Sequence, residues 1–352
     1  MRFQFQSVML VVLLSVSACA QGIESPQKKQ VTPVTPAASA PTAAPTPRLP
    51  ADKSKFAIIL SGVGGEESYS TQFARWATTL QSTLIERLGF DDKQTLLLIE
   101  KPGEGQLRST AEEVRKAFAT VRSAAKPDDA LFVFMIGHGS SDGKQSKLSL
   151  VGPDLTATDY VGLLKSVGTR RVVIVNMTSA SGDFVKPLST EGWITVTATK
   201  SGQEQNATRF PEFFIVALGN AEADLDKNGR VSVLEAFEYA IKTTAAWYEQ
   251  QGRLATEHAM IDDNGDGVGH PKAEAGDGGL AKATFFDSLP QQQAGGDAEL
   301  AKLFSERMRL EGQIEQLKTR KDKMQLEQFE NELERLLIEL ADLNKRVRSR
   351  QK

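Results

Sequence analysis

The sequence predicts an α/β fold in which a largely parallel sheet is covered by helices on both faces. Three observations carry that expectation. Short apolar runs recur from residue 56 to residue 199, mostly apolar on both faces, as strands buried on two sides require. Stretches of helical period stand between the early runs, which is the alternation of a parallel sheet. Several runs stop abruptly at glycine or small polar residues, the form of a strand delivering side chains to a loop at its carboxyl end.

The elements justify themselves in order. Arg2, the apolar stretch Val8–Val16 and the small residues Ser17 and Ala18 have the form of a signal peptide over 1–18, too short to span a membrane as a helix. Val16-Ser17-Ala18-Cys19 resembles the bacterial lipoprotein box, which implies cleavage before Cys19 and lipid on its thiol. Ordinary secretion after Ala20 is the other reading. The lipoprotein reading gives residues 19–52 a purpose, since this Pro/Ala/Thr-rich stretch has no apolar periodicity and reads as an extended tether. The chain is therefore expected at the cell envelope, as a periplasmic or outer-membrane lipoprotein held to the membrane by its N-terminal lipid anchor, or secreted if Cys19 is not lipidated. Cys19 is the single cysteine, so the mature chain has neither a disulfide nor a cysteine nucleophile. With 42 basic and 45 acidic side chains the net charge is −3, and no long-range field favours nucleic acid as a partner.

FAIILSGV (56–63) is the first strand, ending in Gly64-Gly65. An amphipathic helix follows with Phe73, Trp76, Leu80, Leu84 and Leu88 at helical spacing. TLLLIE (95–100) is the second strand, and residues 109–125 form a helix capped by Ser109 or Thr110 with acidic residues in its first turn. ALFVFMIGHGS (130–140), VVIVNM (172–177) and GWITVTAT (192–199) supply the third, fourth and fifth strands, with KLSLV (147–151) as a small edge hairpin.

Two of the strand ends belong together. The third stops at Gly137-His138-Gly139-Ser140, and the fourth at Thr178-Ser179-Ala180-Ser181-Gly182. Histidine is scarce, with three in the chain, and one between glycines at a strand end is well placed to act as a general base. A strand ending in His-Gly, then a strand ending in a small residue, a cysteine and Ser-Gly, is the pattern of the caspase–legumain–gingipain clan of cysteine peptidases. Residues 55–290 resemble its bacterial legumain-like and caspase-like members. The resemblance implies a caspase-like α/β/α sandwich, with His138 on the catalytic histidine, Gly139 on the backbone oxyanion donor and Ser179 on the nucleophile. Thr178 takes that last place if the loop is one residue out of register.

The departure falls on the atom that does the chemistry. A thiol with a pKa of about 8.5 is partly ionised at neutral pH, whereas a hydroxyl needs a base and a third group orienting that base. No carboxylate with motif support supplies the third group; Asp142 and Asp183 are merely near in sequence. A catalytically silent peptidase homologue is the preferred reading, and a hydrolase using Ser179 with His138 is the alternative.

DLDKNGRVSVLE (224–235) sets Asp224, Asp226, Asn228, Ser232 and Glu235 at the side-chain ligand positions of the EF-hand calcium loop, with Arg230 offering its carbonyl and Gly229 making the sharp turn. The helix that leaves it offers Phe237, Ile241 and Trp247 to the core. DDNGDGVG (262–269) repeats the front half with Asp262, Asn264 and Asp266 but has Ala273 where the closing glutamate belongs. It is a weaker site completed from Glu274 or Asp277, or a polar turn. Structural Ca²⁺ is the expected cofactor; outside the cytoplasm, affinities of about 10⁻⁴ to 10⁻³ M suffice.

Residues 291–352 change character. Leu303, Leu310, Ile314 and Leu317, then Phe329, Leu333, Leu336, Leu340, Leu343 and Val347, make two heptad-like seams interrupted at Lys321-Asp322-Lys323. This predicts an antiparallel helical hairpin or coiled coil that either packs on its own domain or offers a partner surface. Three roles remain open: a non-catalytic module binding a peptide or protein partner, a Ser–His hydrolase, and a structural lipoprotein acting through its hairpin.

Overall fold

The apolar runs pair into one sheet of seven strands. The computed structural model describes residues 51–143, 145–273, 276–287, 294, 297–319 and 324–351. The signal peptide, Cys19, the tether up to residue 50, Glu274 and Lys321–Lys323 lie outside these. The strands are β1 (Lys55–Ser61), β2 (Thr95–Ile99), β3 (Leu107–Arg108), β4 (Ala130–Ile136), β5 (Gly139–Ser141), β6 (Ser146–Leu148), β7 (Leu155–Thr156), β8 (Arg171–Asn176), β9 (Trp193–Thr197) and β10 (Met260–Asp262). The large sheet has the order β10-β9-β8-β4-β1-β2-β3, and β5, β6 and β7 form a small antiparallel sheet of their own. Every pair in the large sheet is parallel except β10 with β9.

Alternation along the strands fills two layers. Ala57, Ile59, Phe132, Phe134 and Val175 face α1 (Glu67–Ser82), α5 (Phe210–Ala217) and α6 (Val233–Gln250), meeting Phe73, Trp76, Leu80, Phe214 and Phe237. Ile58, Leu60, Leu131, Val133 and Ile174 face α2 (Ala111–Ala124), α3 (Ala157–Val167) and α4 (Val185–Leu188), meeting Phe118, Tyr160 and Leu188. Both faces of the sheet are therefore dry, which is why its strands read as continuous apolar runs. Of the two candidate caps, Thr110 is the one used: its Oγ1 accepts from the Glu113 amide at 3.2 Å.

Two details differ from the sequence expectation. The helix from 67 ends at Ser82, and one π turn (Thr83–Arg87) carries Leu84 into the core. On α6 it is Tyr248, not Trp247, that is buried, with its hydroxyl donating to Glu257 Oε1 at 3.0 Å. Trp247 lies half-buried under the Arg209 guanidinium, 4.6 Å from the ring centre.

After α7 (Gly279–Ala283) the chain forms α8 (Ala298–Thr319) and α9 (Leu326–Arg350). They share an apolar cluster of their own, including Leu303, Leu310, Ile314, Leu317, Leu336, Leu340 and Leu343. Asp297 at the start of one pairs with Arg350 at the end of the other, at 2.8 Å, so the two run antiparallel. Among the described residues no helix is long and apolar enough to cross a membrane.

Candidate functional site

Strand order brings the two marked loops together. β4 and β8 are adjacent and parallel, with Met135 opposite Asn176, so the loops that follow leave the sheet side by side. The order reverses between β1 and β4, and the crevice of an open α/β sheet lies at such a reversal. His138 sits there, half-buried, with the edges of Tyr69 and Phe73 against it at 4.9 and 5.0 Å between ring centres. Burial pushes its imidazole below the ordinary value, opposed by a hydrogen bond to the Gly64 backbone and by the charge of Glu66.

The hydroxyl of Ser179 is hydrogen-bonded to Gly139 rather than to the imidazole. The Ser179 side chain is buried, with Oγ accepting from the Gly139 amide at 3.0 Å and donating to the Gly139 carbonyl at 3.2 Å. The amide that the family resemblance marks as oxyanion donor is thus occupied by the hydroxyl at the nucleophile position. Thr178, the alternative, is also buried, and its Oγ1 donates to Asn176 Oδ1 at 2.7 Å. Ser181 Oγ accepts from the amides of Ala198 and Thr199 at 3.1 and 3.2 Å. Each hydroxyl of the loop is spent on local structure. Ala180 holds a left-handed conformation (φ 53°) that turns the loop, and its amide donates to the Glu204 carbonyl at 2.7 Å.

Gly139 is required by close approach. A Cβ there would lie 2.4 Å from the Ser179 carbonyl and 3.0 Å from that of Lys147. The two carboxylates considered as orienting groups are engaged elsewhere. Asp183 accepts from Ser141 Oγ at 2.7 Å and from the Gly202 amide at 2.9 Å, and Asp142 accepts from the Gln145 amide at 2.8 Å. Among the described residues no carboxylate is hydrogen-bonded to the His138 ring. A cavity of about 840 Å³ lies beside the loop, lined by Ser146, Gly182, Asp183, Lys186, Lys200 and Val268 among others, but neither His138 nor Ser179 lines it.

The acidic loop is a second candidate centre. Asp224, Asp226 and Glu235 bring one oxygen each within 4.8 Å of the others. Lys227 (φ 60°) and Gly229 (φ 84°) make the sharp turn. Asp224 accepts from the Asn228 and Gly229 amides at 2.9 and 2.8 Å, and Glu235 Oε1 from those of Leu225 and Asp226 at 2.9 and 3.2 Å. Ser232 and Glu235 also close a capping box at the start of α6. Burial raises the Asp224 carboxyl above its ordinary range, with Glu235 and Asp226 adding to the shift and the Gly229 and Asn228 amides opposing it. An all-oxygen donor set with three carboxylates suits a hard divalent cation. Arg230, whose carbonyl holds the seventh loop position, turns its guanidinium to Asp287 at 2.5–3.0 Å.

In the second loop Asp262 accepts from the Gly265 and Gly267 amides at 3.0 and 3.2 Å, and Asp266 and Asn264 close the turn. Asp277 Oδ1 takes the amides of Asp263 and Asn264, the same two loop positions that Glu235 takes in the first loop. Its other oxygen is held by His270 Nδ1 at 2.5 Å. Among the described residues this loop gathers no triad as close as the first. Sequence reasoning missed two residues that reach the first loop from the C-terminal helices, Arg307 and Asn344, and Glu311, which faces Arg307. They read as charged background, and no local signal marks them.

No protein-family model matches the chain, and neither does any curated protein. Among solved structures it is similar to protein GSU0716 of Geobacter sulfurreducens (12% identity, TM-score 0.39, 59% of this chain and 92% of that one). It is also similar to caspase-1 of Spodoptera frugiperda (12%, 0.39, 64% and 94%) and to the Drosophila initiator caspase Dronc (9%, 0.39, 61% and 81%).

Proposed function

We propose that this chain is a cell-envelope protein, lipid-anchored through Cys19, whose caspase-like domain is catalytically silent and serves to bind a peptide or protein partner. One observation carries this reading: the hydroxyl at the nucleophile position is buried and hydrogen-bonded in both directions to Gly139. A serine nucleophile needs its proton on a base within hydrogen-bond reach and its oxygen open to substrate; here both are spent on backbone. The acidic loop 224–235 holds a structural Ca²⁺ through Asp224, Asp226, Asn228, the Arg230 carbonyl, Ser232 and Glu235. Support for that comes from the convergence of three carboxylates on one turn. The ion would fix the entry of α6 against the sheet; the loop after β10 is a weaker second site.

Labelling the purified mature protein with a fluorophosphonate probe, beside a Ser179→Ala control, tests the silent-domain reading. Equal signals from the two proteins are expected. Labelling present in the wild type and lost in the variant would favour the hydrolase that uses Ser179 with His138. The anchor is tested separately, by globomycin-sensitive processing that disappears in Cys19→Ala.

A further inference from the structure

The C-terminal helices touch the domain at the acidic loop, and the contact is charged. The Arg307 side chain of α8 is 5% exposed. Its Nη1 lies 3.2 Å from where a Cβ on Gly229 would stand, so the guanidinium is packed on the sharp turn. Its Nε has no hydrogen-bond partner, nor has Glu311 Oε1, and the two face each other at 3.6 Å. From α9, the buried Asn344 donates from Nδ2 to the Lys227 carbonyl at 3.4 Å. Burial pushes the Arg307 guanidinium below its ordinary value, opposed by Glu311, Asp287 and Asp224 and reinforced by Arg230.

A desolvated guanidinium with an unsatisfied Nε is costly unless nearby anions offset it. Asp224 of the loop is part of that offset, and a divalent cation would use the same charge. We propose that the C-terminal helix pair and a divalent cation compete for the acidic loop, so that cation binding loosens the pair from the domain and the docked pair weakens cation binding. This rests on the reading of residues 224–235 as a cation site. The two effects are reciprocal, because each ligand changes the affinity for the other by the same factor.

The test is Ca²⁺ titration by calorimetry of the full mature chain, as wild type and as Arg307→Gln, Arg307→Lys and Asp226→Asn. Arg307→Gln is expected to tighten binding about tenfold, within the usual span of such couplings. Arg307→Lys keeps the charge and is expected to stay near wild type, and Asp226→Asn to bind far more weakly. Hydrogen exchange of α8 and α9 is expected to quicken in Ca²⁺ relative to chelator, and not to do so in Asp226→Asn. Equal or weaker affinity in Arg307→Gln, or helix protection that Ca²⁺ leaves unchanged or increases, overturns the competition while leaving the cation site standing. Absence of Ca²⁺ binding in wild type and in Arg307→Gln alike overturns both.

Discussion

Ser179→Ala separates a structural hydroxyl from a catalytic one by stability alone. In the wild type Ser179 Oγ accepts from the Gly139 amide and donates to the Gly139 carbonyl, in a position that is 1% exposed. Alanine removes both bonds and brings no polar atom in exchange. An amide left unpaired in a buried place costs about 1–3 kcal/mol. Gly139 is half-buried, so water recovers part of this, and we expect a loss of about 1–2 kcal/mol. For a unit of this size each kcal/mol is worth about 2–4 °C, which places the melting temperature about 2–8 °C below wild type. Urea unfolding at fixed Ca²⁺ gives the same quantity as a shift in midpoint with unchanged slope. A nucleophile held for chemistry behaves oppositely, since relieving a functional site tends to leave stability unchanged or to raise it. An unchanged or higher melting temperature in Ser179→Ala therefore refutes the structural role assigned to this hydroxyl.

Three further outcomes are expected. Gly139→Ala puts a methyl 2.4 Å from a backbone oxygen and should cost about 3 kcal/mol or more, read as poor soluble yield or a midpoint well below that of Ser179→Ala; a near-wild-type midpoint would contradict the close approach of the two loops. Chelation should lower the melting temperature of the domain, by the equivalent of about 1.4 kcal/mol when Ca²⁺ had stood at tenfold its Kd, and Asp226→Asn should abolish the response. Burial pushes the Lys55 ammonium down to about 8, with Asp287 and Asp52 opposing; between pH 8 and 10.5 the unfolded chain keeps a proton that the folded chain has released. Wild-type stability relative to Lys55→Met should accordingly rise across that window, and a flat difference would show that the ammonium stays charged on the carbonyls of Phe286 and Asp287.

The strands were legible because a sheet buried on both faces leaves continuous apolar runs, as in 56–61 and 130–136. β10 was not, since three residues inside an acidic stretch carry no periodicity. The neighbourhood of His138 and the hydroxyl loop was legible from strand ends. The engagement of Ser179 with Gly139 was not: it depends on the register of β4 against β8 and on the left-handed turn at Ala180, and neither has a local sequence signature. The acidic loop was legible almost whole because its donors are consecutive in one turn. What packs on it was not, because Arg307 and Asn344 come from helices far along the chain and resemble any solvated helix face.

The hydroxyl-rich loop also explains how the ends of β4 and β8 are held together. Thr178 ties the loop back to Asn176, Ser179 ties it across to Gly139 on β5, and Ser181 ties it to the amides that follow β9. The bonds of Ser179 and Ser181 join segments on both sides of β8, at the carboxyl edge of the large sheet. A cysteine at 179 would be a weaker acceptor for the Gly139 amide, freeing that amide for another oxygen. Serine gives the amide a permanent partner. The Ser179 hydroxyl thus holds two loops together, and His138, packed against Tyr69 and Phe73, is placed by aromatic contact and by the Gly64 backbone.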